Sequence, residues 1–226
     1  MAIQGGFLAP GPTALATFDF TDIAEGTGVV VFNLARTFTN KDDVATSGAI
    51  LTNNTFYSEH VMTQVTNGGE GTFTKFHDID FDVEFNLTKN VTGTSISNIA
   101  SGIRNGGGGA PTYDSFVWVK IRKFDGTTET LMKDASGAVL HLPAGSTGDF
   151  AYAIDAIKMS LPLTHFKKGD ILRVTVEQWG KATGSGIGQF FIGHDPQSRA
   201  TSDRDPYTFG TEPSNSTVQI PFKLDV

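Results

Sequence analysis

"HDIDFDVEFNLTKN", residues 77–90, alternates apolar and polar side chains without a break from Asp78 to Leu87. In an extended strand Ile79, Phe81, Val83, Phe85 and Leu87 project to one side, and Asp78, Asp80, Asp82, Glu84 and Asn86 to the other. The period is two, so the segment reads as a strand with an apolar face and a wet face. The row of four carboxylates is then either a metal or catalytic site, or a polar sheet face or subunit contact. At a rise of roughly 3.3 Å per residue, alternate Cα atoms lie about 6.7 Å apart, too far for their oxygens to converge on one ion. A calcium loop bends at a glycine, whereas here Ile, Phe and Val intervene and no glycine follows.

Neighbouring carboxylates at that spacing repel by only about 0.6 kcal/mol in water, which a solvated face tolerates. Cations at matching spacing occur elsewhere, as Lys120 and Arg122 in "VWVKIRKF" and Arg173 in "ILRVTVEQ". Opposite charges across a ladder stabilise a sheet modestly, so such cations are available to offset the row. Glycosidase-type acid and base chemistry would instead need two carboxyl groups about 5 to 10 Å apart in a cleft.

The rest of the 226-residue chain repeats this style. Glycine (26 residues) and phenylalanine (18) are abundant, and long apolar stripes of helical period are scarce. Strands are predicted at 28–35, 48–52, 55–66, 71–76, 78–88, 115–124, 127–133, 149–161, 170–180, 188–193 and 216–225. The segments 94–104 and 153–160 leave room for a short helix. The spacing predicts an all-β, jelly-roll-like β-sandwich over residues 28–226, preceded by an extended N-terminal arm, 1–27. Segments 100–114, "ASGIRNGGGGAPTYD", and 194–215 are rich in Gly, Pro, Asp and Ser and read as long loops.

Composition excludes several function classes. The net charge is −7, and no run of Lys/Arg exceeds Lys167-Lys168, so no nucleic-acid partner is expected. No apolar run reaches bilayer length and Met1 is followed by no signal-like segment, so no membrane partner or export is expected. With no cysteine there is no disulfide or thiolate metal site. "GSGIG" at 184–188 leads into a strand, not a helix, and reads as a hairpin loop. Gly106–Gly109 lacks the ending of a phosphate-binding loop, and "AGSTG" at 144–148 lacks the first glycine of a serine-hydrolase elbow.

The five histidines form no zinc-type pair. "GHDP", 193–196, is the one candidate for a cation, through His194 and Asp195 with Asp203 and Asp205; the competing account is a turn in which Asp accepts backbone hydrogen bonds and Pro196 fixes φ. No catalytic residue, metal or cofactor is predicted.

The stretch "LTHFKKGDILRVTVEQW", 163–179, with its Lys-Lys-Gly-Asp turn, resembles jelly-roll domains. The end of the chain, "FFIGHDPQSRATSDRDPYTFGTEPSNSTVQIPFKLDV", is similar to small virion proteins of tailed bacteriophages, of the capsid decoration or cement type. That resemblance implies a β-sandwich, often trimeric, seated on the capsid surface of the virion with the major capsid protein or other virion proteins as partners, and without catalytic residues. In the arm, Phe7, Leu8, Pro10 and Pro12 are the expected contacts with a neighbouring subunit or capsid protein. The alternative is a carbohydrate-binding β-sandwich in which Tyr113, Trp179 or Tyr207 stack on sugar rings, with Trp118 placed in the core. A β-fold hydrolase rests only on the number of carboxylates.

Overall fold

A computed structural model describes residues 27–37, 48–56, 61–67, 71–109, 111–199 and 212–223. The arm contacts Phe7, Leu8, Pro10 and Pro12, together with Asp203, Asp205 and Tyr207, lie outside the described residues. The described residues form twelve strands and no helix: β1 Thr27–Thr37, β2 Gly48–Thr52, β3 Met62–Asn67, β4 Thr74–Glu84, β5 Lys89–Gly107, β6 Thr112–Phe124, β7 Glu129–Ser136, β8 Leu140–Leu142, β9 Phe150–Phe166, β10 Ile171–Thr183, β11 Ile187–Gly193 and β12 Thr217–Lys223.

Their hydrogen bonding runs β3-β11-β5-β12-β1-β2-β4-β10-β6-β7, with β8 joined to β6 and β9 to β5. All pairs are antiparallel except β2 and β4, which meet at a single parallel bridge, Ile50 opposite Asp82. The sheet doubles back there, giving two layers. One is β4-β10-β6 with β7 and β8 at its edge; the other is β9-β5-β12-β1 with β11 and β3. Their inward residues fill one core that includes Phe81 of β4, Val119 of β6, Val174 of β10, Ile99 of β5, Met159 of β9, Ile220 of β12 and Phe32 of β1. Aromatic edges close one end, where Phe85 meets Phe166 at 4.9 Å and Phe222 at 5.8 Å between ring centroids. Gln178 ties the layers directly, its amide donating to the Gly102 carbonyl at 3.3 Å.

Local sequence dictates much of this. In β10, Leu172, Val174 and Val176 point inward and alternate with Arg173, Thr175 and Glu177. The turn before it is held by Asp170, whose carboxylate accepts from the Lys167 amide at 2.7 Å, with Gly169 at φ +90° supplying the left-handed step. The glycine-rich segments 106–109 and 184–188 pack against each other: a Cβ on Gly109 would stand 2.6 Å from the Ser185 carbonyl oxygen. Close backbone approach is thus their role.

Three expectations are corrected. Residues 94–104 are neither helix nor the start of a long loop, because Lys89–Gly107 is a 19-residue strand, the longest of the fold. It is bonded to β9 along one edge and to β12 and then β11 along the other, and this two-sided ladder decides the backbone state whatever the local propensity. Residues 153–160 likewise belong to β9, where Ile157, Met159 and Leu161 alternate inward with Ala156, Lys158 and Ser160 outward. The separately expected strands 71–76 and 78–88 are one, β4, with a register shift opposite Gln178 and Trp179.

Candidate functional site

The acidic row lies where the alternation placed it, on the outer face of β4 beside β10, with β6 one strand further on. The register sets Asp82 opposite Arg173, Asp80 opposite Thr175 and Asp78 opposite Glu177. Arg173 clamps Asp82 with two bonds, Nε to Oδ1 at 2.8 Å and Nη2 to Oδ2 at 2.7 Å. Its Nη1 reaches Glu129 of β7 at 3.1 Å and Asp80 at 3.4 Å. Arg122 on β6 adds Glu129 at 3.3 Å and Asp80 at 3.8 Å, and donates to the Thr175 hydroxyl at 2.9 Å. The hydrogen bond to Asp82 together with the Asp82 and Asp80 charges raises the Arg173 pKa further above its ordinary value.

A second knot lies one pair further along. Glu177, almost fully buried, accepts from Lys120 Nζ at 2.6 Å, from Lys75 Nζ at 3.2 Å and from the Trp179 indole at 2.9 Å. Burial alone would push its carboxyl up, but the hydrogen bonds from Lys120, Trp179 and Lys75 outweigh it and hold the group below the usual carboxylate range. Lys75 also pairs with Asp78. Of the predicted partners, Arg173 and Arg122 meet the row, whereas Lys120 serves Glu177, which the sequence reading did not single out. Glu177 shares the parity of Arg173, so the alternation carried the signal.

Aromatic rings continue this face. Trp179 stacks on Phe116 at 6.4 Å with an interplanar angle of 3°, Phe116 meets Phe73 edge-on at 5.1 Å, and Trp118 flanks Phe116 at 6.4 Å. The placement of Trp118 in the core is corrected: Val117, Val119 and Ile121 take the inward positions of β6, and Trp118 faces outward with its indole donating to Asp134 at 3.1 Å. Tyr113 is corrected in the opposite sense. It is fully buried, packed edge-on to Phe190, and offers no surface to a sugar. Trp179 is partly buried in the aromatic stack.

His194 and Asp195 are wholly buried. His194 Nε2 lies 2.9 Å from the Thr63 hydroxyl, which also accepts from Arg36 at 2.8 Å. Asp195 accepts from the Gln197 and Arg199 amides at 3.3 and 3.0 Å and pairs with the Arg199 guanidinium at 2.7 Å. These backbone bonds are the ones the turn account of "GHDP" describes, while Asp203 and Asp205 of the cation reading lie outside the described residues. Among the described residues no group of three or more His, Asp or Glu is arranged to hold a metal ion. His77 is a further buried histidine, its Nε2 3.0 Å from the Phe190 carbonyl, and burial lowers its pKa to about 4.

No family profile matches the chain, and no curated protein matches it in sequence. Solved structures that match include a CocE/NonD family hydrolase from Staphylococcus aureus, at 13% identity and a TM-score of 0.41 over 85% of this chain and 36% of that one. Others are particles of infectious bursal disease virus: the T13 particle at 10% identity and TM-score 0.31 over 92% and 56% of the two chains, and the Gx strain at 9% and 0.28 over 94% and 53%. The chain thus spans from about a third to just over half the length of these proteins. At such TM-scores the likeness carries no argument, and function has to be read from the surfaces themselves.

Proposed function

We propose that the chain is a non-enzymatic structural protein of a virion, a decoration or cement protein that sits as a homotrimer on a tailed-phage capsid and stabilises its lattice. The observation that carries this reading is the outer face of the layer β9-β5-β12-β1. Its cross-strand rows run Val31, Gln219, Ile96, Lys158 and Asn33, Thr217, Asn98, Ala156. Lys158 is the one charged residue in those two rows, and Val31 is 43% exposed, with Ile154 of β9 46% exposed next to them.

Those two rows can be dehydrated against a neighbour with only Lys158 to find a new partner, whereas drying the ion-paired face of β4-β10-β6 would involve many charges. A stable contact needs about 800 Å² per partner, and several modest contacts around a symmetry axis add through effective concentration. Burial, with no turnover, is the mechanism. The test is sedimentation of the purified chain alone and with purified capsids of the same virus. A trimer that pellets with the particles is expected; a monomer that stays in the supernatant overturns the reading.

A further inference from the structure

We infer that the outer face of β6 and β7 carries a saccharide-binding site, a shallow basin of about 380 Å³ lined by Trp118, Lys120, Arg122, Glu129, Leu131 and Asp134. This goes beyond the lattice role and uses the opposite face of the sandwich.

The basin exists because β7 is bulged. Arg122 pairs with Leu131 and Ile121 with Lys133, so Met132 is the extra residue, and it turns inward to the core. Strict alternation would put Leu131 and Asp134 on opposite faces; the bulge brings both to the outer face and bends the strand around them. Leu131 is left 52% exposed within a ring of charged side chains. Trp118 lies on the neighbouring strand, with its indole N–H fixed to Asp134 Oδ2 at 3.1 Å and the Lys120 ammonium 5.9 Å from its ring centroid. A ring already held in place loses little freedom when a ligand stacks on it.

The chemistry selects the ligand class. Two cations, Lys120 and Arg122, and two carboxylates, Glu129 and Asp134, make the lining formally neutral, and beyond the pairs they already form in the sheet they keep further N–H donors and carboxylate lone pairs. An anion or a cation would meet as much repulsion as attraction. A neutral polyhydroxylated ring, with hydroxyls for those groups and an apolar C–H face for Trp118 and Leu131, satisfies both sets. A basin on an open sheet face suits a chain of sugars lying across it better than an engulfed small molecule.

The test uses the full chain on a printed array of neutral hexose and N-acetylhexosamine oligosaccharides with acidic glycans alongside, followed by titration of tryptophan fluorescence with the best-bound oligosaccharide. Saturable binding to a neutral oligosaccharide is expected. Leu131→Arg, at an exposed position that the fold tolerates, is expected to weaken it at least tenfold, as is Trp118→Ala. Trp179→Phe should leave affinity within twofold and keep the fluorescence change, which Trp118→Phe should abolish. Absence of any array signal, binding confined to acidic glycans, or affinity unchanged in both Leu131→Arg and Trp118→Ala would overturn the inference.

Discussion

The outer face of β4-β10-β6-β7 and the outer face of β9-β5-β12-β1 are made from strands of the same fold and cover the same core, yet they are chemically opposed. The first is a lattice of carboxylates, guanidiniums and ammoniums, bonded pairwise across three strand junctions through Arg173, Arg122 and Glu177. The second presents Val31, Ile96, Asn98, Gln219 and Thr217 in rows whose single charge is Lys158. Satisfied charges hold a sheet together but make its surface expensive to dry, whereas short uncharged side chains do neither. The first face is therefore suited to water or a hydrated ligand, and the second to another protein.

The largest test of that contrast is Glu177→Ala. Removing a buried carboxylate leaves Lys120 without its ion-pair partner and the Trp179 indole without its acceptor, and about 3 kcal/mol of stability should go, read as a lower urea midpoint at unchanged slope. Ala156→Glu on the opposite face, at an exposed position, should change stability by no more than about 0.5 kcal/mol. Equal losses would erase the distinction.

Acid should produce the next largest effect. His77 bonds across the layers from β4 to β11 and is neutral when folded, with a pKa near 4 against an ordinary value of 6.5. A depressed histidine contributes fully above the unfolded value, and its contribution falls as pH drops from about 6.5 to 4, by up to about 3 kcal/mol. Glu177 and Asp170, held low by their lysine partners, extend the loss below the ordinary carboxylate range. Denaturation midpoints taken from pH 7 to 4 check the first limb, which His77→Gln should flatten.

Arg173→Met should cost about 1 kcal/mol, since its partners are partly exposed, and the deficit should shrink in 1 M salt. Smallest in stability is Val31→Glu, within about 0.5 kcal/mol by urea midpoint, although particle binding should be lost.

How much of this was legible depended on the side chains. β4 and β10 could be read because Phe81 and Val174 alternate with Asp82 and Arg173, and that period placed the acidic row on the outer face. Trp118 sits in "FVWVKIRKF", which looks like an apolar run, yet its parity with Lys120 and Arg122 puts it outside. β5 was hidden because its inward positions include Ser95, Ser97 and Ser101, which turn an inward face into what looks like loop composition. Only the strands on both its sides reveal it. Glu177 has no signal in the sequence beyond its parity with Arg173; its importance comes from Lys75 and Lys120, which lie far from it in sequence.

The central claim is that the uncharged face meets the partner while the charged face stays in water. Amine labelling of free and capsid-bound protein tests it most directly, because Lys158 marks one face and Lys75 the other. The account predicts that Lys158 becomes protected on capsids while Lys75 keeps its reactivity; protection of Lys75 with Lys158 still freely labelled would contradict it.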